Sequence, residues 1–356
     1  MLDRLDRWQR TRRGPAFVIA VGRKYGEDGA AMHAARVSYY AFFSIFPLLL
    51  AFVSAVGFVL QGRPALRQKI LDSAFADVPV VGTFVRDDIG AITGSGIALL
   101  VGIGVAVWAG LGVTIALGHA FDVVWSIAPV EQYGYVTRRL RGLLVLVVAG
   151  CGIVASSLLS GAATSGRLGA TAENIALVGL SLAVDVVALM AAFRLLTPSI
   201  AGLRDLIPGV ALAMAGLYAL QSLGAWYVQA TIARASDTYG LFATVIGLLS
   251  WLSLAAHLIL VSAEVNAVRV LHLWPRSLRG PLTPADARAL EGYAERARRV
   301  PGERIVVQWR PGAGTDQPAS PCASAAQTGD DRDRSPQPDD DATPPAPAAS
   351  PPADRP

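Results

Sequence analysis

The sequence predicts an all-α polytopic membrane protein: six transmembrane helices, interfacial helices beside them and a disordered C-terminal tail. Three observations carry the prediction. Six apolar stretches, near Val37–Leu60, Ile97–Leu117, Leu143–Ala163, Ile175–Leu196, Ile207–Val228 and Leu241–Val268, each approach or exceed the roughly 20 residues a helix needs to cross a hydrocarbon core. The composition, 53% hydrophobic and 16% charged with a mean hydropathy of +0.44, would leave a soluble fold with far too much exposed apolar surface. The stretches are continuous and do not alternate, which argues against a transmembrane barrel. Backbone groups in lipid must also be satisfied internally, so the runs are helices.

The elements follow in chain order. Ahead of the first crossing lie Arg4, Arg7, Arg10, Arg12, Arg13, Arg23, Lys24 and Arg36, a basic density that the positive-inside rule assigns to the cytoplasm. Six crossings then return the C-terminus to the same side. Arg138, Arg139 and Arg141 precede the third crossing and Arg194 and Arg204 flank the turn between the fourth and fifth, whereas the later opposite loops offer Arg167 and Arg234; the long first external segment is the exception, with Arg63, Arg67, Lys69 and Arg86 beside Asp72, Asp77, Asp87 and Asp88. Within residues 1–36, Leu2, Leu5 and Trp8 punctuate charged sequence as in a helix resting on a membrane surface. The Phe17–Val21 run is too short for a signal-peptide core, so the first crossing serves as its own uncleaved insertion signal.

The external segment 61–96 carries Ile70, Leu71, Phe75 and Val78 at helical spacing among mixed charges, which predicts an amphipathic helix on the outer surface. A solvated connector is the alternative. The membrane domain ends near residue 272, and a short segment, 273–310, follows it. There Thr283-Pro284 supplies an N-cap and a first-turn proline for a helix to about Arg299, with a short extended stretch at Arg304–Trp309. From Pro311 onward Pro, Ala, Asp, Ser and Thr cannot build a core, so 311–356 reads as a disordered tail. Cys151 and Cys322 lie in different settings and encode no disulfide or metal framework. Lysine occurs only at positions 24 and 69, a bias shared with GC-rich bacterial genomes.

Polar residues inside the apolar stretches are the candidate functional groups. Asp185 sits mid-way along the fourth, where a carboxylate costs several kcal/mol unless paired, hydrated or protonated. It is either a proton or cation site or a carboxyl hydrogen-bonded to a neighbouring helix. Ser250, His257 and Glu264 are spaced by seven and share a face of the last helix, with Asn266 close by. Glu264 and Asn266 also lie near the headgroups, where capping is the plainer role. Gly102, Ala106, Gly110, Thr114, Gly118 and Asp122 recur at intervals of four on the second helix, a small-residue stripe suited to close helix packing. His119 and Asp122 stand at its polar end. Pro47 frees a carbonyl in the first helix and is a candidate hinge.

No nucleophile elbow, Gly-rich phosphate loop or His/Asp cluster is present, so the sequence predicts neither an enzyme nor a resident cofactor or metal. The basic residues are those the membrane topology already requires, which argues against nucleic-acid binding. Several segments together resemble the YihY/BrkB family of bacterial inner-membrane proteins, historically labelled ribonuclease BN. They are Ser38-Tyr39-Tyr40-Ala41-Phe42-Phe43-Ser44-Ile45-Phe46-Pro47, Phe193-Arg194 with Thr197-Pro198, Tyr239-Gly240-Leu241, Leu248-Leu249-Ser250-Trp251 and Ala263-Glu264-Val265-Asn266-Ala267. Ser262 departs from the glycine usual before the Ala-Glu pair, and Asp185 lies outside these motifs. The resemblance implies a six-helix inner-membrane protein with both termini cytoplasmic, and no established activity.

Two functions remain open. One is a transporter or flippase-like protein for a lipid or small amphipathic substrate, with Asp185, Arg194, His257, Glu264 and Asn266 along its path. The other is a non-transporting envelope scaffold. Membrane lipids are the expected partners; protein partners and a homo-oligomer stay open. A polar cavity between the helices would favour the first function and a solid interior the second.

Overall fold

The computed structural model describes residues 2–59, 96–164, 171–198, 200–227, 233–278 and 281–308. Helices occupy Leu2–Thr11 (α1), Arg13–Glu27 (α2), Ala30–Val59 (α3), Gly96–Val124 (α4), Tyr135–Thr164 (α5), Thr171–Leu196 (α6), Leu203–Tyr227 (α7), Ala233–Val270 (α8) and Pro284–Glu295 (α9). No strand occurs among the described residues, and 304–308, expected to be extended, carry no regular structure. The amphipathic helix expected within 61–95 and the tail lie outside the described residues.

Among the described residues six helices are long and apolar enough to cross a bilayer. They are α3 to α8, the six read from the sequence, and the chain is a multi-pass membrane protein. The helices generally outrun the apolar stretches because polar and charged residues at their ends still favour helix. Thus α3 begins at Ala30, and α4 continues through His119 and Asp122 to Val124. α3 runs through Pro47 as one helix.

Each crossing helix packs on the next, and α8 returns to α3, so the six form a closed ring; α4 also touches α6 and α8 across it. The buried core is concentrated at one end of this ring, where Ala34, Val37, Ala116, Phe121, Phe193, Leu206, Ala213, Leu260 and Ala267 meet. Toward the other end Leu100, Leu180, Leu223 and Ile246 stand exposed, as lipid-facing side chains do. The tight end is also where the described segments before α3 and after α8 pack. There α2 lies on α8, and Val21 joins Val268, Leu273 and Ala289 in a second small core.

Local signals fix this end. Gly29 takes φ +63°, a left-handed conformation glycine adopts without a Cβ clash, and turns α2 directly into α3. α4 and α8 stop without a glycine: Ser126 (φ 54°) and His272 (φ 53°) adopt the left-handed cap. The Ile127 and Leu273 amides then bond back to Asp122 and Val268 carbonyls, the six-to-one bond of a Schellman ending. α9 starts as its Thr283-Pro284 signal predicts, with a reciprocal capping box between Thr283 and Asp286.

Small residues set the helix spacings. A Cβ on Gly102 would reach the Ala51 backbone of α3 at 3.3 Å, one on Gly110 would meet Leu146 of α5 at 2.9 Å, and one on Gly118 would touch Leu196 of α6 at 3.9 Å. One stripe therefore serves three neighbours, with Ala106 between its glycines. The closest approach is between α7 and α8, where a Cβ on Gly209 would lie 2.2 Å from the Ser262 carbonyl oxygen and 2.3 Å from Asn266 Nδ2. Gly209→Ala should therefore destabilise the bundle by about 2–3 kcal/mol or abolish folding. Gly179→Ala, with nothing within 4 Å, should be neutral or slightly stabilising. Thermal unfolding of both variants in detergent checks the contrast.

Candidate functional site

On α2, Ala16, Ala20 and Lys24 recur at intervals of four and are all buried. The two alanines let the helix approach closely, and their row ends in a lysine with no exposed surface. An ammonium has three N–H donors and needs a partner for each when no water is near. Lys24 Nζ donates to an Asp28 carboxylate oxygen one turn on and, at 2.6 Å, to the Val124 carbonyl in the last turn of α4. Its third partner is Glu264 Oε2 of α8, an ion pair at 3.1 Å. Arg296, just past α9, pairs with Asp28 at 3.0 Å and donates to the Val123 carbonyl at 3.3 Å. Two carboxylates and two cations thus balance at the tight end of the ring, and the bare carbonyls of the α4 terminus are satisfied by them.

One side of the cluster is unfinished. Glu264 is wholly buried, and neither of its carboxyl oxygens accepts a hydrogen bond among the described residues, Oε2 being held by the ion pair with Lys24 alone. The buried Tyr25 hydroxyl is likewise unpartnered, and its ring lies 6.2 Å from that of His257. Burial and then the negative charge of Glu264 push the Tyr25 hydroxyl pKa up. His257 Nδ1 lies 2.7 Å from the Ser253 carbonyl, an acceptor to which that ring nitrogen donates. His257, Ser253, Ser250, Leu249 and Leu254 line a groove of about 520 Å³. Since His257 stands two turns before Glu264 on the same face, the groove and the cluster lie in line along α8.

Asn266 has a structural task. Its Oδ1 accepts the Gly209 amide at 2.8 Å, and its Nδ2 donates to the Leu206 carbonyl at 3.2 Å. These backbone groups flank Pro208 inside α7. One amide side chain therefore clamps α8 to a proline-perturbed turn of α7.

The other polar candidates stand apart from this cluster. Asp185 accepts a 2.7 Å hydrogen bond from the Tyr218 hydroxyl of α7, the neighbouring-helix bond that was one of its two sequence readings. His119 and Asp122 gather around Arg138 of α5: His119 Nε2 lies 2.8 Å and Asp122 3.7 Å from the guanidinium, which also donates to Gln132 at 2.9 Å. Arg194 is half-buried with no partner among the described residues. No group of three or more His, Cys, Asp or Glu that could hold a metal occurs among the described residues.

Sequence reasoning missed the lower half of the site. Arg276, fully buried, donates to both Glu27 oxygens at 2.9 and 3.0 Å and to Asp286 at 2.7 Å. Asp286 also accepts from Ser277 and Thr283 and forms an ion pair with Arg23 at 3.3 Å, while Tyr293 donates to Glu27 at 2.7 Å. Gln9 Nε2 donates to the Arg276 carbonyl at 2.7 Å, and Asp6 accepts the Leu278 amide at 2.9 Å. The first helices, expected to rest on the membrane surface, thus bury one side against the segment that follows α8. Exposed Trp8 remains on the outer side.

Lys24→Met should cost about 3–5 kcal/mol, because it leaves Asp28 and Glu264 buried with one cation fewer. Adding Glu264→Gln should recover most of that loss, and thermal unfolding of the single and double variants reads the coupling. The clasp around Arg276 should respond to acid. Burial alone would raise the carboxyls of Glu27 and Asp286, but hydrogen bonds from Tyr293, Arg23, Thr283 and Ser277 and the Arg276 guanidinium outweigh it and hold both below their ordinary values of 4.5 and 3.8. Their stabilisation is therefore complete above those values and lost as the pH falls through the lower folded-state ones. Between about pH 7 and about pH 3 the protein should lose thermal stability. Arg276→Met should weaken that dependence and leave the part supplied by Tyr293, Arg23, Thr283 and Ser277.

No curated protein and no solved structure matches the chain. The family profile described as "Virulence factor BrkB" matches residues 21–277, from the third turn of α2 to just past Arg276. The match spans Lys24, Asp28, Glu264, Asn266 and all six crossing helices, and this chain belongs to the BrkB family of integral membrane proteins.

Proposed function

We propose that the protein is a non-enzymatic inner-membrane carrier, transporter or flippase-like, that moves a lipid or small amphipathic molecule across the bilayer with both termini in the cytoplasm. The observation that carries this reading is the groove of about 520 Å³ at Ser250, Ser253 and His257, in line along α8 with the buried Lys24–Asp28–Glu264 cluster. In this reading the groove receives the substrate from the outer side, and the ion cluster is the closed inner gate. The arginines at the tight end support the orientation by the positive-inside rule. Asp185 and Tyr218 brace α6 against α7 outside the path, and Arg194, Asn266 and Pro47 act on helix position.

The test is flux in vesicles of phosphatidylethanolamine and phosphatidylglycerol carrying a fluorescent phosphatidylglycerol that dithionite bleaches in the outer leaflet. Protein-dependent loss of the protected half of the signal is expected. Lys24→Met/Glu264→Gln, which opens the gate without leaving an odd charge, should accelerate it about tenfold. In a Cys151→Ser/Cys322→Ser background, Ser253→Cys should react with an impermeant maleimide from the face opposite the termini.

A non-transporting scaffold is the second reading, favoured by the neutral pairing of the charges at the tight end. Vesicles that hold a folded bundle yet bleach no further than protein-free ones, with Ser253→Cys inert from both faces, would establish it and remove the carrier.

A further inference from the structure

We propose that Glu264 binds a proton delivered from the groove by way of His257 and Tyr25, and that this proton breaks the ion pair with Lys24. The proton site stands on the residues alone; that its filling opens the inner gate rests on the carrier reading. Glu264 has no exposed surface, and neither carboxyl oxygen accepts a hydrogen bond among the described residues. A proton relieves such a carboxylate, because it removes the charge that burial penalises. A metal cation would need about six oxygens. The free ones here belong to one carboxyl and one phenol, and the Lys24 ammonium already stands 3.1 Å from Oε2.

The surroundings supply a route. His257 lines the groove with Ser250 and Ser253, and its Nε2 has no partner among the described residues. An imidazole there can take up and release a proton near neutral pH. Seven residues of α8, about 10 Å of rise, separate it from Glu264. Tyr25 bridges that gap, its ring 6.2 Å from the imidazole and its buried, unpartnered hydroxyl in the field of the Glu264 charge. That field and burial keep the hydroxyl protonated, so it works by exchange: its oxygen takes a proton from His257, directly or through one water, as it gives its own to Glu264. Each intermediary ends as it began, and the groove has lost one proton. Around Glu264 stand Lys24 of α2, Asp28 of the following turn with Arg296 paired to it, and His33 of α3 in the field of Asp28. α4 presents the Val124 carbonyl to Lys24, and α7 meets this part of α8 through its Gly209 and Leu206 backbone. With Glu264 neutral, Lys24 and Arg296 face Asp28 alone, and the excess positive charge draws water or an anionic headgroup into the cluster.

The test is difference infrared spectroscopy of the full chain in phosphatidylethanolamine and phosphatidylglycerol bilayers. It follows the carbonyl stretch of a protonated carboxylic acid between about pH 8 and about pH 5, where exposed carboxylates stay ionised and the Arg276 clasp is intact. A band is expected that shifts on heavy-carbon labelling of glutamate carboxyls, which separates it from any aspartate, and that Glu264→Gln removes. The labelling needs no variant and so answers even where Glu264→Gln fails to fold. After a pH jump, Tyr25→Phe and His257→Gln should slow the rise of the band at least about tenfold and leave its final amplitude unchanged, which a merely structural role would not do. No glutamate band, or a rise as fast in both variants, overturns the proposal. Loss of the band on adding sodium at fixed pH would make the site one for a metal cation and overturn it as well. In the dithionite assay, acidification should accelerate flux in the unmutated protein and not in Glu264→Gln. A band with pH-independent flux would overturn the link from proton to gate, whereas a band with no flux at all would strike the carrier reading and uphold the proton site.

Discussion

The tight end of this bundle depends on one ammonium group placed where no water reaches it. Lys24 comes from α2 and its partners from the α2–α3 turn, α4 and α8: its ammonium donates to Asp28 and to the Val124 carbonyl and forms an ion pair with Glu264. A buried cation tolerates little positional error, because losing a partner exposes the full desolvation penalty of the charge. The positions of α2, α4 and α8 are therefore coupled more strictly than apolar contact could couple them. The alanines at 16 and 20 let the helix approach, and the lysine specifies where it stops.

The Arg276 clasp extends that logic below the bundle. It ties α1, α2 and α9 into a layer in which nearly every charge has an opposite partner: Arg23 with Glu27, Arg276 with Glu27 and Asp286, Arg296 with Asp28. In water such pairs contribute little each. Here Arg276 and Asp286 have no exposed side-chain surface, and their worth lies in fixing geometry. The segment after α8 thereby holds Arg296 against Asp28, so the Lys24 cluster and the terminal layer form one network.

The fold was largely legible, and the site only in part, for physical reasons that differ residue by residue. Six crossings are written in hydrophobicity because lipid allows no other arrangement of such runs. Glu264 and Asn266 stood out as polar groups on an apolar helix, yet nothing local told that Asn266 would bond to the Gly209 amide 57 residues away. Asp185 drew attention as a lone mid-span carboxylate, but its partner Tyr218 belongs to the next helix. Lys24 was hidden for a different reason. Basic residues before a first crossing are expected on topological grounds, so one of them buried in the protein looks like its neighbours. The only cue was its identity, one of two lysines in a chain rich in arginine. The helix stops at Ser126 and His272 escaped notice because glycine, the usual marker of a left-handed cap, is absent from both.

Charge is a sensible material for a gate of the proposed kind. A constriction closed by leucines gains the full transfer free energy of the apolar area it buries, roughly 25 cal/mol per Å², and opening must return it. A constriction closed by ion pairs gains far less net, since the Coulomb attraction is largely cancelled by the desolvation of each charge. Admitting water or a polar headgroup rehydrates Lys24, Asp28 and Glu264 as it separates them, so the open and closed states are brought close in free energy. The unpartnered Glu264 Oε1 and Tyr25 hydroxyl tilt the balance further, because both gain a hydrogen bond when water enters. Specific pairing thus defines the closed arrangement while leaving the barrier to opening low, which a densely packed apolar plug at the same place would not do.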